Sequence, residues 1–335
     1  MKYIFIVITT CFNILIYNAQ EYFQQKVDTY INVELDDENH FLRGFEKMVY
    51  HNQSNSTLDS IVIHLWPNAY KNSSTELAKQ KYEDGSNQFK YAKDKDLGFI
   101  DSLDFNVNGS KVEWNYIDGK IDICVIYLKK PIQKGDSISI KTPFRVKIPS
   151  GRFSRLGHLG QSYQITQWFP KPAVYDKDGW HPMSYLDQGE FYSEFGDYDV
   201  SITVPENYVL MATGDLQNKD ELAFLDKKAK LTAKLIKENK LPFRDSFGRK
   251  DMSFPESSKE KKTLRFTQKD VHDFAWFADK RYHVLKGEIE LESKNVTSWA
   301  LFTNSEAKLW ERSIEYINDA TKYFSSWVGE YPYNH

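Results

Sequence analysis

Residues 100–146 read IDSLDFNVNGSKVEWNYIDGKIDICVIYLKKPIQKGDSISIKTPFRV. Aromatic and β-branched residues mark strands over Ile100 to Val107, Lys111 to Ile117, Ile121 to Leu128 and Ser137 to Val146. Asn108-Gly109 and Asp118-Gly119 fall between runs, and such pairs form tight hairpins because both residues tolerate the positive φ of the turn. Working toward the N-terminus, Val27 to Leu35, Phe41 to His51 and Leu58 to Leu65 repeat the pattern, separated by Asp-Glu-Asn and Asn-Gln-Ser-Asn clusters. Short strands with turn signals roughly every 8–12 residues predict a sandwich or a large curved antiparallel sheet.

Thr75 to Lys95 is polar and interrupts the strands, predicting a short helix and a surface loop. Toward the C-terminus, Leu222, Leu225, Ala229, Leu231 and Leu235 recur among Lys, Glu and Asp, the signature of a charged amphipathic helix. With the irregular Leu241 to Lys262 it forms a polar insertion over 217–262, with a solvated face and no assigned chemistry. Strands resume at Thr263 to Gln268, His272 to Ala278 and Tyr282 to Leu291. A new unit opens near Val296 with the strand-like Ser298-Trp-Ala-Leu-Phe302. Thr303-Asn-Ser-Glu306 then has the spacing of a capping box. Trp310, Ile314, Ile317, Thr321, Phe324 and Val328 follow at helical spacing, and Gly329 and Pro332 end the helix. A strand and a helix cannot bury a core alone, so 296–335 reads as the truncated start of a further domain whose helix leaves Trp310, Ile314, Ile317 and Phe324 without partners.

The 335 residues suffice for about two domains at roughly 150 residues each. A formal net charge of −3 provides no basic field for nucleic acid or anionic lipid. Lys2, the apolar run Tyr3 to Tyr17 and the small residue Ala19 read as a signal peptide over 1–19, too short for a comfortable membrane span. The chain is therefore expected to be exported, whether periplasmic, cell-surface or secreted, with a β domain over 20–295. Removing the leader removes Cys11 and leaves Cys124, which lies in a strand pattern and reads as a small buried hydrophobe.

The sequence holds no complete catalytic centre. It contains no H-E-x-x-H, no Cys pair for a thiolate metal site, no G-x-S-x-G, no P-loop and no G-x-G-x-x-G. Glu190 and Glu194, near Asp197 and Asp199, would suit two-carboxylate glycoside hydrolysis, yet strand alternation places polar residues there anyway. Asp176-Lys-Asp-Gly179 lacks the spacing of a calcium loop and reads as a turn. The densest stretch runs from Gly151 to Tyr185. It sets Gln161, Gln164, Gln167, Trp168, Trp180 and His181 beside Pro170, Pro172 and Pro182. Exposed amides and aromatics on a stiff frame make a ligand wall, while a packed loop junction accounts for them equally well. His181 reads as a structural hydrogen-bonder.

Ile165-Thr-Gln-Trp-Phe-Pro-Lys-Pro-Ala-Val-Tyr-Asp176, Gly179-Trp-His-Pro182 and Gly196-Asp-Tyr-Asp-Val-Ser-Ile-Thr-Val-Pro205 resemble the N-terminal domain of aminopeptidase-N-like (gluzincin) zinc metallopeptidases, in an exported bacterial branch. Asn207 to Asp215 and His272 to Ala278 resemble later strands of that domain. Trp310 to Tyr333 resembles the first helix of the thermolysin-like catalytic domain. The resemblance spans about residues 22–335. It implies a mainly β fold: a saddle-like antiparallel β-sandwich N-terminal domain followed by the truncated start of a thermolysin-like α/β catalytic domain. In this family two His and a Glu bind zinc, and the Glu of H-E-x-x-H activates the zinc-bound water. Those segments lie beyond His335. Zinc is thus expected for a full-length parent, with peptides as substrates, while this chain alone is expected to bind no metal and to be inactive. The family site that can fall here is an N-terminal-domain Gln contacting the substrate's amino end, for which Gln164 and Gln167 are the candidates. The competing reading is a non-catalytic peptide- or glycan-binding β-sandwich module.

Overall fold

The computed structural model describes residues 22–242 and 252–335. The apolar leader and part of the irregular stretch after the charged helix lie outside the described residues. The main elements in chain order are β1 (Lys26–Asp36), β2 (Phe41–His51), β3 (Leu58–His64), α1 (Glu76–Glu83), β4 (Lys120–Ile132), β5 (Ser137–Lys147), β6 (Ser162–Ile165), β7 (Lys171–Pro172), β8 (Gly196–Pro205) and β9 (Val209–Ala212). They continue with α2 (Lys219–Lys237), β10 (Lys261–Val271), β11 (Trp276–Asp279), β12 (His283–Glu290), β13 (Asn295–Phe302), α3 (Ala307–Trp310) and α4 (Ser313–Val328).

The fold is mainly β. β1 shows why its residues make a half-buried strand: Val27, Thr29, Ile31, Val33 and Leu35 point inward, while Tyr30, Asn32 and Glu34 face solvent. The largest sheet, nine strands among the described residues, runs through β10, β8, β1, β2 and β5, with short strands at either edge. Two four-stranded sheets complete the domain. One holds β7, β3, β4 and Trp114–Ile117, and the other Gly157–Leu159, β6, β11 and β9. One apolar core joins their inner faces, with Ile31, Leu42 and Phe266 from the large sheet, Ile63 and Cys124 from the first small sheet, and Tyr163 and Trp276 from the second. Cys124 is buried in β4 opposite Ile63, and burial pushes its thiol up to about 12. The Asn108-Gly109 turn forms as its composition demands, with φ of 50° and 85°.

The antiparallel expectation needs one correction: β1 pairs with β8 in parallel, Ile31 opposite Val200. The strand expected over His272 to Ala278 is also shifted. β10 runs on to Val271, and Asp273 then turns the chain by accepting the Phe274 N–H at Oδ1 (2.8 Å), so β11 starts only at Trp276.

β12 and β13 form a two-stranded hairpin, and the 295/296 division of the sequence falls at the start of its second strand. Alternation sends adjacent residues to opposite helices. Val284 packs with Leu225 and Ala229 of α2, while Leu285 packs with Ala300, Phe302 and the α4 residues Ile314 and Ile317. Two expectations change as a result. The amphipathic α2 has a buried stripe through Glu221, Leu225, Ala229 and Thr232, not the full leucine series expected, since Leu231 points to solvent. Ile314 and Ile317 do have partners, whereas Trp310 and Phe324 remain exposed. Gly287 is where α4 crosses β12 most closely, since a Cβ there would lie 2.4 Å from Ile314 Cγ2. The predicted helix is also broken in two, α3 and α4, with Glu311 and Arg312 between them.

Candidate functional site

The stretch read as a wall divides into parts with different fates. Gln164 sits on β6 with its side chain exposed, beside a cavity of about 210 Å³ that His158, Tyr163, Phe277 and Tyr282 also line. Gln167 is 7% exposed and its backbone takes a positive φ of 53°. Its amide Nε2 donates to Asp273 Oδ2, and its Oε1 is buried with no hydrogen-bond partner. Trp168 is wholly buried and donates from Nε1 to the Phe274 carbonyl at 3.0 Å. Gln161 donates to Asp37 Oδ2 (3.2 Å) and accepts from Lys280 Nζ (2.6 Å). The exposed wall is therefore corrected: of its amides, Gln164 alone is exposed, and Gln167 belongs to an interior polar cluster.

That cluster was not legible as a site. Lys171 on β7 is 4% exposed, and its Nζ lies 2.9 Å from Asp273 Oδ1, 3.2 Å from Ser193 Oγ and 3.3 Å from the His272 carbonyl. The Trp66 and Phe169 rings stand 5.5 and 5.6 Å from the ammonium. Glu46 on β2 is fully buried, and neither carboxyl oxygen has a hydrogen-bond partner. Burial pushes its pKa well above the usual carboxylate range, only partly offset by Lys171. A Lys in the Phe-Pro-Lys-Pro run was the available signal, since a Lys flanked by prolines and aromatics invites burial with a counter-ion. The cluster clamps the 165–172 segment to the turn before β11, which positions the strand that pairs with Gln164, opposite Phe277.

The remaining candidates lie elsewhere. Asp176 and Gly179 pair across a two-residue turn, as the sequence predicts. His181 Nε2 lies 2.7 Å from Asp176 Oδ1, so it holds this turn as a structural neighbour. Glu190 is exposed, whereas Glu194 is 5% exposed and accepts the Tyr175 N–H at 3.2 Å. Burial pushes the Glu194 carboxyl up to about 7.

A cavity of about 570 Å³ lies between the β domain and the C-terminal hairpin and helix, lined by Ala212, Phe277, Trp299, Trp310 and Tyr333 among others. The C-terminal residues reach back across it: Tyr333 OH donates to the Asp270 carbonyl (2.8 Å), and His335 Nδ1 lies 2.9 Å from Asp215 Oδ1. Among the described residues no group of three or more His, Cys, Asp or Glu is gathered as a metal site requires. The donors present therefore do not fit the zinc implied by the resemblance. Nor, among the described residues, is any helix long and apolar enough to cross a membrane.

Neither a family model nor the sequence of a curated protein matches the chain. Solved structures do match its fold. An M1 zinc metallopeptidase from Deinococcus radiodurans superposes with a TM-score of 0.50 at 14% identity, covering 93% of this chain and 55% of that one. A point mutant of it bound to a Tyr-Ser-Ala substrate gives a TM-score of 0.52 at 13% identity over the same shares. The chain thus has the fold of M1 zinc metallopeptidases, the aminopeptidase-N-like class, along nearly its whole length. It spans about 55% of the length of those proteins.

Proposed function

We propose that this chain is the N-terminal portion of an exported zinc-dependent metallopeptidase, an aminopeptidase releasing N-terminal residues from peptides. The observation that carries the reading is the fold match over 93% of this chain against 55% of an M1 zinc metallopeptidase. In this reading the β domain frames the entrance to the active site, and Gln164, the exposed member of the Gln164/Gln167 pair, contacts the substrate's amino end. The zinc ligands and the general base belong to sequence beyond His335. The chain by itself then binds no stoichiometric zinc and cleaves no peptide, and the parent works in the periplasm, at the cell surface or outside the cell.

The test is the reading frame downstream of His335, with metal analysis and aminopeptidase assay of the full-length product. An in-frame H-E-x-x-H with a later Glu, one zinc per chain and release of N-terminal residues are the expected results. A stop codon directly after His335, or a full-length product without zinc and without peptidase activity, refutes the reading.

A further inference from the structure

The Tyr175–Trp180 hairpin, the Tyr192–Glu194 segment and residues 22–24 enclose a cavity of about 240 Å³ that shares no lining residue with the cavity at Gln164. Its lining is aromatic and acidic. Tyr22, Phe23, Tyr175 and Tyr192 contribute rings, with Phe23 and Tyr175 centred 6.5 Å apart at 34°. Asp176 and Glu194 contribute carboxyls. Asp176 is braced by the Tyr192 hydroxyl at 3.3 Å and the Asp178 N–H at 2.9 Å.

Glu194 is the unusual member. It is almost wholly buried, its only hydrogen bond comes from the Tyr175 N–H, and among the described residues no cation pairs with it. Lys177 also lines the cavity, but its ammonium is engaged by Asp178 at 3.0 Å. A carboxyl so placed is deprived of water without receiving a counter-charge, which is why burial pushes it up to about 7. Rings attract cations through their electron-rich faces, and a desolvated carboxylate adds a full opposite charge. An alkylated ammonium satisfies both: its methyl groups tolerate an apolar wall, and it needs no hydrogen-bond acceptors. A primary ammonium would require three acceptors, and the oxygens here are partly committed: Glu194 accepts the Tyr175 N–H, and Asp176 accepts the Asp178 N–H and the Tyr192 hydroxyl.

We propose that this cavity binds the methylated ammonium head of a choline-type ligand, held between the rings of Phe23, Tyr175 and Tyr192 and the carboxylate of Glu194. The proposal is independent of zinc and of peptide cleavage.

The experiment titrates the intact chain with choline chloride by calorimetry or ligand-observed NMR, beside the uncharged carbon isostere dimethylbutanol and the primary amine butylamine. Choline should saturate with a Kd on the order of 1 mM or tighter. Dimethylbutanol, which keeps the shape and loses the charge, should bind about tenfold more weakly, and butylamine should also be weaker. Glu194→Gln should weaken choline about fivefold or more, and Tyr192→Ala several-fold, while Glu190→Gln, outside the lining, should leave it unchanged. Absence of saturable choline binding, equal binding of the neutral isostere, or tighter binding of butylamine overturns the proposal. The three-ligand comparison needs no variant, so misfolding of Glu194→Gln cannot obscure the outcome.

Discussion

Replacing Glu46 by Met should stabilise the protein. The carboxyl is fully buried on the inner face of β2, between Ile31 of β1 and Thr142 of β5, with no hydrogen bond to either oxygen. An unsatisfied buried polar group costs about 1–3 kcal/mol, and a side chain of nearly the same length and volume removes that cost without opening a cavity. Lys171 loses a nearby acid but keeps Asp273 at 2.9 Å and Ser193 at 3.2 Å, so no charge is stranded. The net expectation is a gain of about 1–3 kcal/mol at pH 7. The pH dependence has a fixed sign. The folded protein holds the Glu46 proton more tightly than the unfolded chain, whose carboxyl titrates near 4.5. The unmodified protein therefore loses stability as pH rises above about 4.5, and the Met variant does not, so the advantage should grow between pH 5 and 8. Urea unfolding followed by Trp fluorescence at several pH values measures it. A loss above about 1 kcal/mol at pH 7, or a difference constant across that range, would refute the reasoning.

Lys171→Met should do the opposite, leaving Asp273 without its cation and with only the Gln167 amide donating to it, at a loss of about 3 kcal/mol, read from the same urea curves. Gly287→Ala should cost about 1–3 kcal/mol, because the added methyl meets Ile314 Cγ2 at 2.4 Å and Ser298 Oγ at 2.8 Å; calorimetric melting checks it. Gln167→Ala should cost about 1–2 kcal/mol through its lost bond to Asp273, whereas Gln164→Ala, exposed on β6, should stay within about 0.5 kcal/mol; paired chemical denaturation separates them.

The strands were legible because alternation and turn dipeptides are local. Asn108-Gly109 specifies its hairpin almost alone, and β1 advertises its buried face in every second residue. The stripe of α2 was half legible. Its leucines mark an apolar face in the sequence, whereas Thr232 carries no such mark, although its hydroxyl accepts the Val284 N–H at 3.3 Å and so faces the hairpin. The polar cluster escaped notice for a different reason. Glu46, the Gln167–Lys171 segment and Asp273 lie far apart in sequence, and each residue read singly is a surface residue; burial comes only from their mutual approach. Gln164 and Gln167 illustrate the same limit, since two amides three positions apart end on opposite sides of the exposure divide.

The parallel contact between β1 and β8 has a consequence for how the protein is made. The Asp197 N–H reaches the Asp28 carboxylate across 169 residues of chain. During synthesis the β1–β2 hairpin must wait with one edge unpaired until β8 emerges, and β8 in turn waits for β10. Such distant pairings make folding slow, and an open edge is a template for association with another copy. The first strand of the described residues thus keeps an open edge while some 160 residues are made, as roughly counted from β1 to β8, and that interval is when this chain is most exposed to aggregation.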